Sequence, residues 1–171
     1  MAITDKEKGV WGLDQVYNKI NQGSIWDYSG ASVLHSWGPG ASGQLAQNNQ
    51  TRYSSPTQIP GTGGWTNIFK NYGDTTSISG LKSDGTVWTW GSNPGGQLGQ
   101  NDRTQRSSPV QIGSGTDWGI SEGHISVADS NRAAAIKNDG TLWTWGLNEY
   151  GQLGQNNKTY YSSPIQIPGT T

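Results

Sequence analysis

Apolar residues along this chain fall in short runs separated by polar, glycine-rich stretches, and one of these runs alternates strictly. In residues 86–90, TVWTW, an extended backbone puts Trp88 and Trp90 on one face and Val87 and Thr89 on the other. An apolar stretch at 78–81 precedes it across Asp84-Gly85, and the arrangement recurs with 133–136, Asp139-Gly140 and Trp143 to Trp145. Asp-Gly is a hairpin dipeptide: glycine takes positive φ without steric cost, and aspartate tolerates it better than most residues. A further strand is expected at 110–112, bounded by Pro109 and Gly113. The pattern predicts an all-β chain of short strands, three or four to a unit.

The N-terminal segment departs from this pattern. Leu13, Val16, Tyr17 and Ile20 follow i, i+3, i+4, i+7 spacing, which predicts an amphipathic helix from about residue 12 to 21 that stops before Gly23. Trp11 and Trp26 flank its apolar face. So short a helix is marginal alone, so it is expected to dock on the first repeat or on a partner. Trp11, Leu13, Val16, Tyr17 and Ile20 are the expected anchoring interface. Residues 1–28 are thus read as an anchoring segment and 29–171 as repeats.

The repeats are visible as text. WTWGSNPGGQLGQN at 88–101 and WTWGLNEYGQLGQN at 143–156 differ at three positions, and a degraded copy, HSWGPGASGQLAQN, occupies 35–48. Trp37, Trp90 and Trp145 fall in register, 53 and 55 residues apart, and Ser-Ser-Pro-x-Gln-Ile follows each copy. Such units bury too little to stand alone and must share a core with their neighbours. The expected repeat core is Trp37, Trp88, Trp90, Trp143 and Trp145 with Leu45, Leu98 and Leu153. After SSPIQIPGTT the next expected Trp is missing, so the array is expected to continue past residue 171; the alternative is that several chains complete a ring.

Composition agrees with many turns: 26 Gly, 9 Trp, one Phe, one Met and 13% charged residues in 171. A net charge of −1 gives no basic field for nucleic acid, and no apolar run is long enough for membrane insertion as a helix. The absence of cysteine excludes disulfides, thiolate metal sites and cysteine nucleophiles. The charged N-terminus, MAITDKEKG, does not look like a secretory signal.

The combination DGTVWTWGSNPGGQLGQ…SSPVQI resembles the repeats of the regulator of chromosome condensation family over about residues 30–171. That resemblance implies four-stranded blades of a seven-bladed β-propeller, of which this chain holds about three. Two departures set the chain apart. Asp74-x-x-Ser77 and Asp129-x-x-Arg132 stand where the family has Gly-x-x-His, and the first copy has Ala31-Ser32-Val33 in place of Asp-Gly-Thr. Nucleotide exchange and chromatin binding are therefore not carried over. GVWGLDQVYNKINQGSIWDY followed by these repeats also resembles the N-terminal ends of structural proteins of marine tailed bacteriophages. This second resemblance implies a virion protein assembled in the host cytoplasm, attached to other virion proteins by its N-terminus. It implies homo-oligomers and a repeat region that is structural or binds a host surface glycan or protein.

Catalytic chemistry finds little support. His35 takes the slot of Trp88 and Trp143, and His124 has no nucleophile or acid near it in sequence. No HExxH, GxSxG, phosphate-loop or calcium-loop motif occurs, so no enzyme activity, metal or cofactor is expected. Asp84 and Asp139 are explained by their turns, and Asp74 and Asp129 are read as possible turn caps. Sequons at Asn49 and Asn157 are broken in the middle copy by Asp102 and are read as by-products of the repeat. Binding is left to the loops, where the copies differ: Asn93, Arg106, Asn148, Tyr150 and Tyr160 are the candidates. The leading expectation is a non-enzymatic virion component. The alternative is a cellular propeller module for protein–protein contacts, such as a GTPase-regulator-like scaffold.

Overall fold

A computed structural model describes residues 32–61, 63–70, 76–119, 125–126 and 131–169. The expected N-terminal helix with its anchoring residues, and Asp74, His124 and Asp129, lie outside the described residues. Within them the chain is all-β, with ten strands and no helix. β1 (His35–Gly38) pairs with β2 (Tyr53–Gln58) in a two-stranded sheet. β3 (Trp65–Lys70), β4 (Ser77–Lys82), β5 (Val87–Gly91) and β6 (Arg106–Gln111) form a four-stranded antiparallel sheet in chain order. β7 (Ile125–Ser126), β8 (Arg132–Ile136), β9 (Leu142–Gly146) and β10 (Tyr161–Gln166) form a second sheet of the same order. These sheets are the first, second and third blades.

Each Asp-Gly turn closes by a three-residue relay. Gly85 sits at φ 79° and its N–H donates to the Lys82 carbonyl. Asp84 Oδ1 accepts from both the N–H (3.0 Å) and the Oγ1–H (2.6 Å) of Thr86, and Thr86 Oγ1 accepts from the Trp88 indole at 2.8 Å. Asp139, Thr141 and Trp143 repeat the relay. The turn thus aims the first Trp of each Trp-Thr-Trp strand. The hydroxyl hydrogen bond from Thr86 is the main reason the Asp84 carboxyl titrates below its ordinary range, and Thr141 does the same for Asp139.

The outer strand is longer than expected. β6 runs through Pro109 and does not begin after it. Proline is tolerated there because β6 is the edge of its sheet, and the register with β5 shifts between Thr89 and Gly91. β2 and β10 contain the equivalent Pro56 and Pro164.

Strand alternation sends the Trp pair toward the preceding blade and the smaller residues toward the next. Trp90, 1% exposed, packs with Ala46 and Ile59 of the first blade, and Leu34, Trp65, Ile78 and Trp88 join that core. Val87 and Leu81 point the other way, into a core with Ile112, Trp118, Ala133, Ala135 and Trp145. Trp65 meets the rings of Trp88 and Trp90 edge-on, with centroids 6.3 and 5.8 Å away, and Trp118 stands edge-on to Trp143 and tilted against Trp145. A lysine ammonium lies over each group: Lys82 above Trp65 and Trp88, Lys137 above Trp118 and Trp143. Leu45, Leu98 and Leu153 are buried as expected. Trp37 is not: it is 58% exposed, because no described blade stands on its outer side.

Candidate interaction surface

The loop after each Trp-Gly pair is the natural place for a site, and its internal bonds decide which side chains are free for one. Asn93 and Asn148 are buried, 2% and 0% exposed. Asn93 donates to the carbonyls of Asp102 (3.0 Å) and Thr104 (3.1 Å) and accepts from the Leu98 N–H at 3.0 Å. Asn148 makes the same three bonds to Asn157, Thr159 and Leu153. The expectation that these two asparagines contact a partner is corrected: they lock the loop from inside. Buried amides with both ends bonded are costly to replace and offer nothing at the surface.

Arg106 is similarly occupied. It donates to Asp102 Oδ2 at 2.6 Å and to the Thr104 carbonyl. The Thr104 N–H, then Arg106, hold the Asp102 carboxyl below its ordinary pKa. In the other copies the corresponding pairs are Asn49–Tyr53 and Asn157–Tyr161, where the amide donates to the phenol oxygen at 2.9 Å. Asp with Arg and Asn with Tyr are therefore alternative solutions to one loop contact. The broken sequon and the varying residue before Ser-Ser-Pro are the two halves of this exchange, a pairing that sequence reading took as two separate observations. A comparison of residues four apart across the copies would have found it.

Tyr150 and Tyr160 remain. Tyr150 is 85% exposed. The Tyr160 hydroxyl donates to Glu149 Oε1 at 2.5 Å, which holds its proton and raises its pKa above the ordinary phenol value. The Arg103 guanidinium of the second blade lies 5.0 Å from the Tyr160 ring centre. Arg103, Glu149, Tyr150 and Tyr160 thus form an aromatic and charged rim where the loops of two blades meet. An open groove of about 360 Å³ runs between the second and third blades, lined by Gln100, Asn101, Trp118, Lys137 and Ser163 among others. Among the described residues no cluster of three metal-ligating side chains occurs, and no helix is long and apolar enough to cross a membrane. His35 lies on β1.

Residues 84–120 and 139–171 match the family model described as the regulator of chromosome condensation (RCC1) repeat. The repeats are RCC1-like. The chain is 28% identical over 141 residues to the human E3 ubiquitin-protein ligase HERC2, covering 81% of this chain and 3% of that protein. It is 29% identical over 136 residues to the ultraviolet-B receptor UVR8 of Arabidopsis thaliana, covering 78% and 30%. Among solved structures, yeast RCC1 (Prp20) in its complex with Kap60 superposes with a TM-score of 0.59 at 19% identity, covering 85% of this chain and 37% of that one. The chain spans less than a third of these two relatives and little more than a third of the solved structure. These likenesses fix the fold as RCC1-like β-propeller blades, an architecture typical of protein–protein interaction modules.

Proposed function

We propose that the chain is a non-catalytic interaction scaffold that binds a partner through the rim of Arg103, Glu149, Tyr150 and Tyr160. The observation that carries this reading is the contrast within the loops. Positions shared by the copies, such as Asn93, Asn148, Leu98 and Leu153, are buried in loop-locking bonds, whereas the unshared Tyr150 is exposed. A loop presenting the exposed Tyr150 close to the Tyr160–Arg103 pair is suited to recognition, because little side-chain freedom is lost on binding. A photo-crosslinking amino acid at position 160 should label a partner in the source cell, and labelling should fall at least tenfold with Arg103→Ala. Equal labelling from position 113, in the loop after β6, would remove the rim from consideration.

The virion reading is a finer version of the same scaffold. It rests on the resemblance of residues 9–28 to the attachment ends of tailed-phage structural proteins, and the similarities to known proteins reported above do not bear on it. In that case the partner is a host surface glycan or protein, and the N-terminal segment holds the chain on the particle. Its test is incorporation into purified particles, which should be lost when residues 1–28 are deleted.

A further inference from the structure

Each tryptophan of the two Trp-Thr-Trp strands has a partner for its indole N–H. Trp88 and Trp143 donate to the threonines of their turns. Trp90 donates to the Gln44 carbonyl at 3.0 Å and Trp145 to the Gln97 carbonyl at 2.8 Å, each reaching into the preceding blade. Trp118 differs. It is 4% exposed and its ring packs against Trp143, Trp145 and the Lys137 ammonium. Its N–H has no hydrogen-bond partner among the described residues. A buried donor left without an acceptor is costly, so such a group calls for an explanation.

Trp118 lines the groove of about 360 Å³ between the second and third blades. That volume is at the low end of small-molecule sites and is too small for a folded partner. The inner lining is apolar: Gly99, Ile112 and Trp118 are buried, and they offer one side-chain donor and no side-chain acceptor. The outer lining is polar and neutral. Asn101 is exposed and Ser163 half-buried, and neither side chain has a hydrogen-bond partner among the described residues. Gln100 directs its amide N–H groups to Thr89 Oγ1 and the carbonyls of Val110 and Gln111, which leaves Oε1 as an acceptor. Lys137, the charged side chain of the lining, is paired with Asp117 at 2.9 Å, so no net charge faces the groove.

These features select the ligand. In the buried part a carbonyl oxygen satisfies the indole, whereas a hydroxyl would bring a proton that no side chain there accepts. At the mouth the opposite holds, because a primary amide and a hydroxyl both donate and accept, as sugar hydroxyls do. A neutral lining disfavours phosphate, sulfate or ammonium ligands, which would be desolvated without a counter-charge. An extended peptide would pair with β10, the outer strand of its sheet, but Pro164 removes the backbone N–H at the groove. We infer that the groove binds an N-acetylated neutral sugar. The acetamide carbonyl accepts from the Trp118 indole, and the acetamide N–H donates to Gln100 Oε1. Its methyl group lies against Ile112 and Pro164, and ring hydroxyls bond to Asn101 and Ser163. The inference goes beyond the rim of Arg103 and Tyr160 and does not depend on what that rim binds.

The test is the indole N–H resonance of Trp118 in the isotope-labelled chain, titrated with N-acetylglucosamine, N-acetylgalactosamine and N-acetylmannosamine. Trp118→Phe assigns the resonance by its disappearance; where that variant does not fold, the resonance is assigned through the residue's own backbone N–H. At least one of these sugars should shift it saturably, with a Kd on the order of 1–10 mM. Glucose, which lacks the acetamide, should bind at least about tenfold more weakly. Ser163→Ala and Asn101→Gly should each weaken binding about three- to tenfold, and glycine accepts the Asn101 φ of 60° without strain. The inference is overturned by no shift with any N-acetylated sugar, which leaves the indole to water, or by glucose binding as tightly. Binding unchanged in both variants overturns it too, as does a tighter response to acetyl-glycyl-glycine amide, which would make the groove a peptide site.

Discussion

Residues 96–101 and 151–156 are the same six amino acids, GQLGQN, in two environments. In the second blade the run is pressed against the third: Gly96, Gln97 and Gly99 are buried, and Trp145 and Ser162 bond to its backbone. In the third blade no described blade lies against the run, and Gly154, the counterpart of buried Gly99, is exposed. The part of the run that faces its own blade does not differ. Leu98 and Leu153 are each 1% exposed, and their carbonyls accept from Thr89 and Thr144 at 2.7 and 2.8 Å. One motif thus does two jobs, and the comparison separates them: leucine and threonine close the blade, while glycine, glutamine and the tryptophan of the next blade join blades together.

The sharpest way to break this comparison is to remove equivalent tryptophans. Trp90→Ala should cost about 3–5 kcal/mol by urea unfolding, since it empties a closed core and leaves the Gln44 carbonyl unpaired. Trp37→Ala, at a half-exposed site, should cost under about 1 kcal/mol. Equal costs would contradict the assignment of Trp90 to an internal joint. A finer contrast is Gly96→Ala against Gly151→Ala. Both glycines have positive φ, 84° and 77°, so the backbone penalty cancels in the difference. Only Gly96 also meets Ser162, which should make its substitution about 1–3 kcal/mol worse.

Loop locking gives a third contrast. Asn93→Ala should destabilise by about 1–3 kcal/mol, whereas Tyr150→Ala should leave stability within about 0.5 kcal/mol. The smallest effect lies in the exchange between Asp102 with Arg106 and Asn157 with Tyr161. Arg106→Tyr should cost about 0.2–1 kcal/mol, and Asp102→Asn added to it should recover the loss, which a double-mutant cycle measures. The same loops set the acid response. Asp84, Asp102 and Asp139 all titrate lower in the folded chain, so the unfolded state binds more protons there. Their contribution is complete above the unfolded value of about 3.9 and is lost as pH falls through the folded values. Asp84→Asn should flatten that acid limb in a pH series of thermal melts.

Much of the blade was legible in the sequence. The alternation of residues 86–90 put Trp88 and Trp90 on one face, and both do face the preceding blade. The Asp-Gly dipeptides turn as expected. The strand containing Ser-Ser-Pro was read too short, because proline was taken as a strand boundary when it only excludes a central strand. Trp37 was placed in the core by alignment with Trp90, yet burial belongs to the neighbour and not to the residue. The loop asparagines misled for a different reason. Asn93 and Asn148 sit among positions that vary, but their bonds run nine and eleven residues onward to carbonyls, which sequence does not display.

The central claim is that a GQLGQN run becomes a joint only when another blade arrives. Amide hydrogen exchange of this 171-residue chain tests this most directly. The N–H groups of Asn48 and Asn101, bonded to Ser107 and Ser162, should exchange slowly, and that of Asn156 should exchange at close to the open-chain rate. Equal protection of all three asparagines would contradict the account.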